Sequence, residues 1–460
     1  MLLQIASYLE YEHQWSFAMA FPAVPQLMIP VLNQLVLCRN SDYYPYPNGL
    51  ADPVVILAFL HFFPAYATHM RQLTIHIPAS ATLRYTSYPS PRNCFPWLPE
   101  WTADQEVHLL RDSAERSGIN STPNFVTTFQ QLTQYDQDLT RIAILLALGA
   151  RICSLVVYVP DSPEPACDLG HMAMTAFLPA LQLFRLRGQT LDYFHLSIPN
   201  HATGLKRPFF YQHRNIATCL STMFTVQHIT HLELGRLSES VCYRGDWSLY
   251  SQVTVQKLTI DNTLLRGLSL PRLLQSINGL QALDAKFRFA ERQLDPEGED
   301  RESMANIERD ISNALWTHRH TLQDLRLCIP VHQFDLRCNP SIRFLTNLTR
   351  LEMPTEWHNL PQNSLHQVLP PSIHTFITRW KLNGRFTGFR DFVAHLKRGR
   401  KDLPALVHIV EMEPWKYIPS DERTLMKPRV FVLILQRRKI LDLDERKRQR
   451  MVVIVWENAV

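Results

Sequence analysis

The chain has 460 residues, 46% of them apolar, and 47 Lys and Arg against 42 Asp and Glu leave a formal net charge of +5. That length and apolar content suffice for a large core, while so small an excess of positive charge does not by itself indicate nucleic-acid binding. Membrane spans are excluded as well: Val54 to Phe63 falls short of the roughly 20 residues a bilayer needs, and Arg151 interrupts the longer run from Ile142 to Val159.

Taken in chain order, Leu2, Ile5, Ala6 and Leu9 fall on one helical face, followed by Trp15, Phe17, Met19 and Phe21 and by LMIPVLNQLVL, which leads into a first strand at Leu35. Met1 to Ala6 has no basic start and meets Glu10 too soon for a secretory signal. Met70 to Pro78 (MRQLTIHIP) alternates apolar and polar residues and ends in proline, a strand stopped where the ladder loses its donor. Ala79 to Pro123 sets Pro89, Pro91, Pro96 and Pro99 among Tyr85, Tyr88, Phe95, Trp97 and Trp101, a mix that resists regular structure and reads as an irregular insertion. The phrase recurs at Ile152 to Pro160, after a helix end at Gly149, at Leu191 to Pro199 and at Leu322 to Pro330. Pro271 to Asn278 reads as a short helix closed by Gly279. Met304 to Trp316 and Gln362 to Leu369 have comparable apolar spacing. Asp295 to Glu302 is an acidic loop without the ligand spacing of a calcium site. Beyond residue 412, Val430 to Leu435 and Met451 to Trp456 read as strands around Arg437, Arg438, Lys439, Arg446, Lys447, Arg448 and Arg450; that basic stretch is a solvated connection or a nuclear-import signal.

The second apolar residue of each phrase gives the markers Leu35, Leu73, Leu155, Phe194, Leu232, Leu258, Leu283, Leu325, Leu351 and Phe376, with a weaker one at Leu406. Their intervals are 38, 82, 39, 38, 26, 25, 42, 26, 25 and 30 residues, clustered near two values, and the interval of 82 holds a lost repeat or an insertion. A strand repeated at about 25 residues, alternating with a short helix, buries its apolar face on its neighbours. The expected fold is therefore α/β: a leucine-rich-repeat-like solenoid with a parallel sheet and outer helices, spanning residues 31–412 with insertions near 79–123 and 284–303. Residues pointing the other way, including His76, Tyr158, His195, Glu233, Lys257, Thr259, Arg326 and Glu352, are expected to form an exposed partner-binding face.

The L-x-x-L-x-L phrases resemble the irregular leucine-rich repeats of fungal F-box-type proteins, from about Leu32 to Val410. The asparagine that usually follows the last leucine is missing: Leu258-Thr-Ile260 is followed at that place by Thr263, so the turns need other partners. Residues 1–30 resemble the later part of an F-box, an incomplete copy, since the family's opening Leu-Pro would precede Leu2. The resemblance implies a short helical unit that docks a Skp-type adaptor of a cullin-based ubiquitin ligase through Leu2, Ile5, Leu9, Trp15 and Phe21, with an unknown protein target held on the repeats. The alternative is a non-catalytic repeat scaffold with no ubiquitin role; in either case residues 413–460 form a C-terminal extension carrying the basic segment.

Enzyme motifs are not found. Among 14 glycines no two stand two apart, so the dinucleotide fingerprint cannot be written, and no phosphate-loop or H-E-x-x-H sequence occurs. Gly384 and Gly388 flank Phe386 where a nucleophile elbow needs serine. His318, Arg319 and His320 precede a strand as Arg187-Gly188 does, which fits a helix-end role. No catalytic residue, cofactor or metal is expected. The 8 cysteines show no C-x-x-C spacing, and scattered thiols fit a reducing compartment, cytoplasmic or nuclear.

Overall fold

The computed structural model describes residues 1–21, 23–38, 53–76, 103–118, 134–158, 183, 186–197, 228–235, 253–264, 269–288, 313–328, 342–354, 368–379, 402–412, 430–436 and 439–440. It is α/β, in two compact units, Met1–Val255 and Gln256–Val460. The aromatic segment Tyr85 to Trp101, the acidic loop and the apolar run Met451 to Trp456 lie outside the described residues.

The first unit opens with α1 (Leu2–Tyr8), α2 (Tyr11–Ala20) and α3 (Met28–Asn33), which leads straight into β1 (Gln34–Cys38). Then come α4 (Pro53–Phe62), β2 (Gln72–His76), α5 (Ala103–Ser117), α6 (Gln134–Leu148), β3 (Ser154–Tyr158), β4 (Leu191–Ser197) and β5 (His228–Gly235). The strands pair in parallel and in chain order, with Leu35, Leu73, Leu155, Phe194 and Leu232 side by side in register. Because β2 pairs directly with β3, no strand intervenes between them, and the interval of 82 residues is an insertion carrying α5 and α6. The insertion is thus not irregular throughout. Its aromatic, proline-rich half gives way at Ala103 to a helix with Val107, Leu109, Leu110 and Ala114 buried.

In α4 the chain has no polar residue before His61, and Val54 through Leu60 are all buried. A helix apolar on every side must be enclosed, and α4 is packed among α5, α6 and the 3₁₀ turn Pro64–His69. Phe59 stacks at 5.1 Å on Phe63 and at 5.4 Å, edge on, against Tyr66. Arg187, expected near a helix end, donates from Nη1 to the Ala147 carbonyl at 2.7 Å and from Nη2 to the Ser117 carbonyl. One guanidinium thus serves the last turns of α5 and α6, where carbonyls lack helical partners and the dipole favours a cation. Among the described residues no helix is long and apolar enough to cross a membrane.

The second unit contains β6 (Val253–Leu264, begun in the first unit), α7 (Ser269–Ser276), β7 (Ile277–Asn278), β8 (Ala282–Arg288), β9 (Asp324–Cys328), β10 (Arg350–Pro354), β11 (Thr375–Arg379) and β12 (His408–Met412). β6, β8, β9, β10, β11 and β12 run parallel in that order, with Leu258, Leu283, Leu325, Leu351 and Phe376 in register. Two expectations change here. Opposite Phe376 stands Ile409, while Leu406, fully buried, takes the place of the phrase's first apolar residue, as Leu322, Leu348 and Ile373 do. The parallel run ends at β12, the last strand within residues 31–412; β13 (Val430–Gln436) pairs with it antiparallel and β14 (Lys439–Ile440) with β13 likewise. The insertion expected from residue 284 begins later, because residues 284–288 continue β8.

Successive turns are joined by the backbone. The Gln281 N–H donates to the Gln256 carbonyl at 2.8 Å, Gln323 to Gln281 at 2.7 Å, Thr349 to Gln323 at 2.8 Å, His374 to Thr349 at 2.8 Å and Val407 to His374 at 2.8 Å. The carbonyls of Gln281, Gln323, Thr349 and His374 each accept a second N–H from the next residue of the following turn, as Gln323 does from Arg350 at 3.0 Å, using both oxygen lone pairs. Hydroxyls ahead of the strands add to this: Thr349 Oγ1 donates to the Gln323 carbonyl at 3.0 Å and Ser372 Oγ to that of Leu348 at 2.9 Å. His318 is buried at its helix end and donates from Nε2 to the Leu274 carbonyl of α7 at 2.8 Å, and burial lowers its pKa.

Candidate functional site

The period of two that buries the leucine rows sends the alternate residues to the other face of each sheet. In the first unit they form three register rows: Gln34, Gln72, Ser154, Tyr193 and His231; Val36, Thr74, Val156, His195 and Glu233; and Cys38, His76, Tyr158, Ser197 and Gly235. Expected site residues Tyr158, His195 and Glu233 come together here with two that the sequence reading passed over, Tyr193 and His231. His76 lies beside Tyr158 in the backbone register.

Tyr193 donates its hydroxyl to Glu233 Oε2 at 2.7 Å, while His195 Nδ1 stands 3.3 Å from Glu233 Oε1 and 3.3 Å from the Tyr193 oxygen. A carboxylate only accepts, so a proton is assigned to Nδ1. The Tyr158 ring lies 5.6 Å from that of His195, and the Tyr193 ring 5.1 Å from that of His231. The hydrogen bond from His195, aided by that from Tyr193 and by the nearby His231, pulls the Glu233 carboxyl down to about 2 against the opposing effect of burial. Burial, with the bond to Glu233, pushes the Tyr193 phenol well above its usual range. Glu233 is therefore an anion and Tyr193 a neutral donor across the physiological range. At the row's end Gly235 is required: a Cβ there would come within 2.6 Å of Ser197 Oγ.

The outward face of the second unit is a charge lattice. Thr259, Asp284, Arg326 and Glu352 share one register row; Lys257, Ala282, Asp324 and Arg350 share the next. Arg326 bridges Asp284 at 3.2 Å and Glu352 at 3.1 Å, Arg350 stands 3.6 Å from Asp324, and Lys286 stands 3.8 Å from Asp261. Burial raises the Asp324 pKa, opposed by Arg350. Of the residues expected to be exposed, Lys257 is, Thr259 and Arg326 are half-buried, and Glu352 is buried at 3%. That correction has a local cause: Glu352 is paired with Arg326, and its register neighbour Ile377 is buried on the same face.

At the N-terminus, Ala6 and Ala18 are buried where α1 meets α2, and Gln14 Nε2 donates to the Leu9 carbonyl at 2.7 Å, fixing the connection. Trp15, expected as a docking residue, is buried, so its ring presents little surface for a partner. Leu2 and Leu9 are half-buried, whereas Ile5 and Phe21 are exposed, with Met1, Leu3 and Tyr8 besides. Cys153 sits one residue before β3, and burial together with Asp192 raises its thiol pKa, which disfavours the nucleophilic thiolate. Among the described residues no group of three or more His, Cys, Asp or Glu is placed to hold a metal ion.

Compared with known proteins, the chain matches no family model and no curated protein.

Proposed function

We propose that this protein is the substrate-recognition subunit of a cullin-based ubiquitin ligase, a leucine-rich-repeat-like solenoid with an F-box-like N-terminal helical unit. The observation that carries the reading is the exposed apolar set Met1, Leu3, Ile5, Tyr8 and Phe21 on a small helical unit ahead of the repeat strands. Exposed apolar residues gathered on one small unit mark an interaction site. Such a subunit acts by proximity: the helices dock a Skp-type adaptor while the outward sheet residues hold a target near the transfer machinery.

Co-expression with the adaptor tests this. The full chain should capture it, and Ile5→Glu with Phe21→Asp should abolish capture, since charges on an apolar contact are left without partners. Both side chains are exposed, so the fold should survive. Capture by neither form, with the protein folded, would leave the second reading, a non-catalytic repeat scaffold. The burial of Trp15 favours that reading, because it removes the largest of the expected contact residues from the surface.

A further inference from the structure

We propose that Glu233 and the rings around it form a subsite for a basic side chain, a lysine ammonium or an arginine guanidinium, presented by a bound protein. The inference deepens the proposed function by naming what the first unit's outward face holds, and it rests on the reading of that face as target-binding. Three observations carry it. Glu233 is the one Asp, Glu, Lys or Arg in the three outward register rows of the first unit, so no lysine or arginine of those rows pairs with it. Its side chain is 26% exposed. A carboxylate offers about four acceptor positions, and the structure places one hydrogen-bonding partner at each oxygen.

The surroundings suit an organic cation. The two groups bonded to Glu233 are rings with further rings against them, Tyr158 at 5.6 Å from His195 and His231 at 5.1 Å from Tyr193, and a cation within about 6 Å of a ring centroid is attracted to its face. Tyr193 and His195 hold Glu233 in place, so little side-chain freedom remains to be lost on binding. A metal ion is a poorer fit, since only one carboxylate is present and Nδ1 of His195 is turned toward it as a donor. The net charge of +5 works against indiscriminate attraction of basic peptides, so binding would report a local site.

The test uses the full chain and fluorescein-labelled peptides of alternating lysine and serine, of alternating arginine and serine, and of Nε-acetyl-lysine and serine, followed by anisotropy near physiological salt. One or both basic peptides should bind, and acetylation should weaken binding about tenfold or more, as loss of a charge-assisted contact does. Glu233→Gln keeps an acceptor for Tyr193 and should weaken the basic peptide to a similar degree. Tyr193→Phe keeps the ring and should retain or tighten binding. Asp261→Asn, on the second unit's paired face, should change nothing. Thermal unfolding of each variant confirms that it is folded. Equal affinity for the acetylated peptide, indifference to Glu233→Gln, or no binding of either basic peptide would overturn the subsite. Adaptor capture is read separately: its presence without peptide binding sinks only the subsite, and Glu233-dependent peptide binding without capture sinks only the ligase reading.

Discussion

The outward faces of the two units are built on the same period and register, yet they dispose of charge in opposite ways. In the second unit Lys257, Lys286, Arg326 and Arg350 stand among Asp261, Asp284, Asp324 and Glu352, mostly in contact distance of an opposite charge. In the first unit one carboxylate, Glu233, is held by a phenol and an imidazole, Tyr193 and His195, with aromatic rings beside it. A lattice that neutralises itself offers a partner little electrostatic gain. An anion with no lysine or arginine in its own rows can still take one from outside. On the proposed reading, the same strand period serves structure in the second unit and recognition in the first.

The comparison breaks first if the two units are not equally packed. Leu155→Ala in the first unit and Leu325→Ala in the second, each nearly or wholly buried in its row, should each cost about 2–5 kcal/mol in denaturant unfolding. A loss below about 1 kcal/mol at either site would place that leucine outside a packed row. Arg326→Ala should come next, at about 1–3 kcal/mol, because it strands the buried Glu352 carboxylate; its partial exposure keeps the loss below that of a fully enclosed pair. Replacing Arg326 and Glu352 together by Met and Leu should recover much of that loss.

The first unit responds to acid instead. The Glu233 pKa is depressed from 4.5 to about 2, so its contribution is fully present above 4.5 and lost as pH falls through that window. Urea midpoints measured from pH 6 to pH 2.5 should fall less steeply in Glu233→Gln than in the parent chain; identical slopes would mean that the carboxylate is not held as described. The smallest effect belongs to Arg350→Ala, whose exposed pair with Asp324 should be worth about 0–1 kcal/mol and should fade with salt.

Much of this fold was legible because one rule, apolar residues at every second place after a fixed lead-in, produces both the register and the buried rows. Leu73, Leu155, Leu258 and Leu325 all stand where that rule puts them. The rule misled at Leu406, where the first and second apolar positions of the phrase look alike and only pairing tells them apart. It was silent on α5, because the prolines and aromatics before Ala103 mask a helical period that starts abruptly. At the candidate site, Tyr158, His195 and Glu233 were found by parity alone. Tyr193 and His231 were not, though they lie two residues before His195 and Glu233 on the same face, a signal already in the alternation. Burial of Trp15 and Glu352 could not be read so, since both depend on contacts between elements.

On the proposed reading two separate surfaces work independently, the N-terminal helices for an adaptor and the first unit's outward face for a basic target segment. Calorimetric titration of the purified chain with a Skp-type adaptor, and in parallel with the lysine–serine peptide, tests this most directly when run on Ile5→Glu/Phe21→Asp and on Glu233→Gln. The first variant should lose the adaptor and keep the peptide, and the second should weaken the peptide about tenfold and keep the adaptor. Loss of both ligands in either folded variant, or an adaptor that the parent chain does not bind, would contradict it.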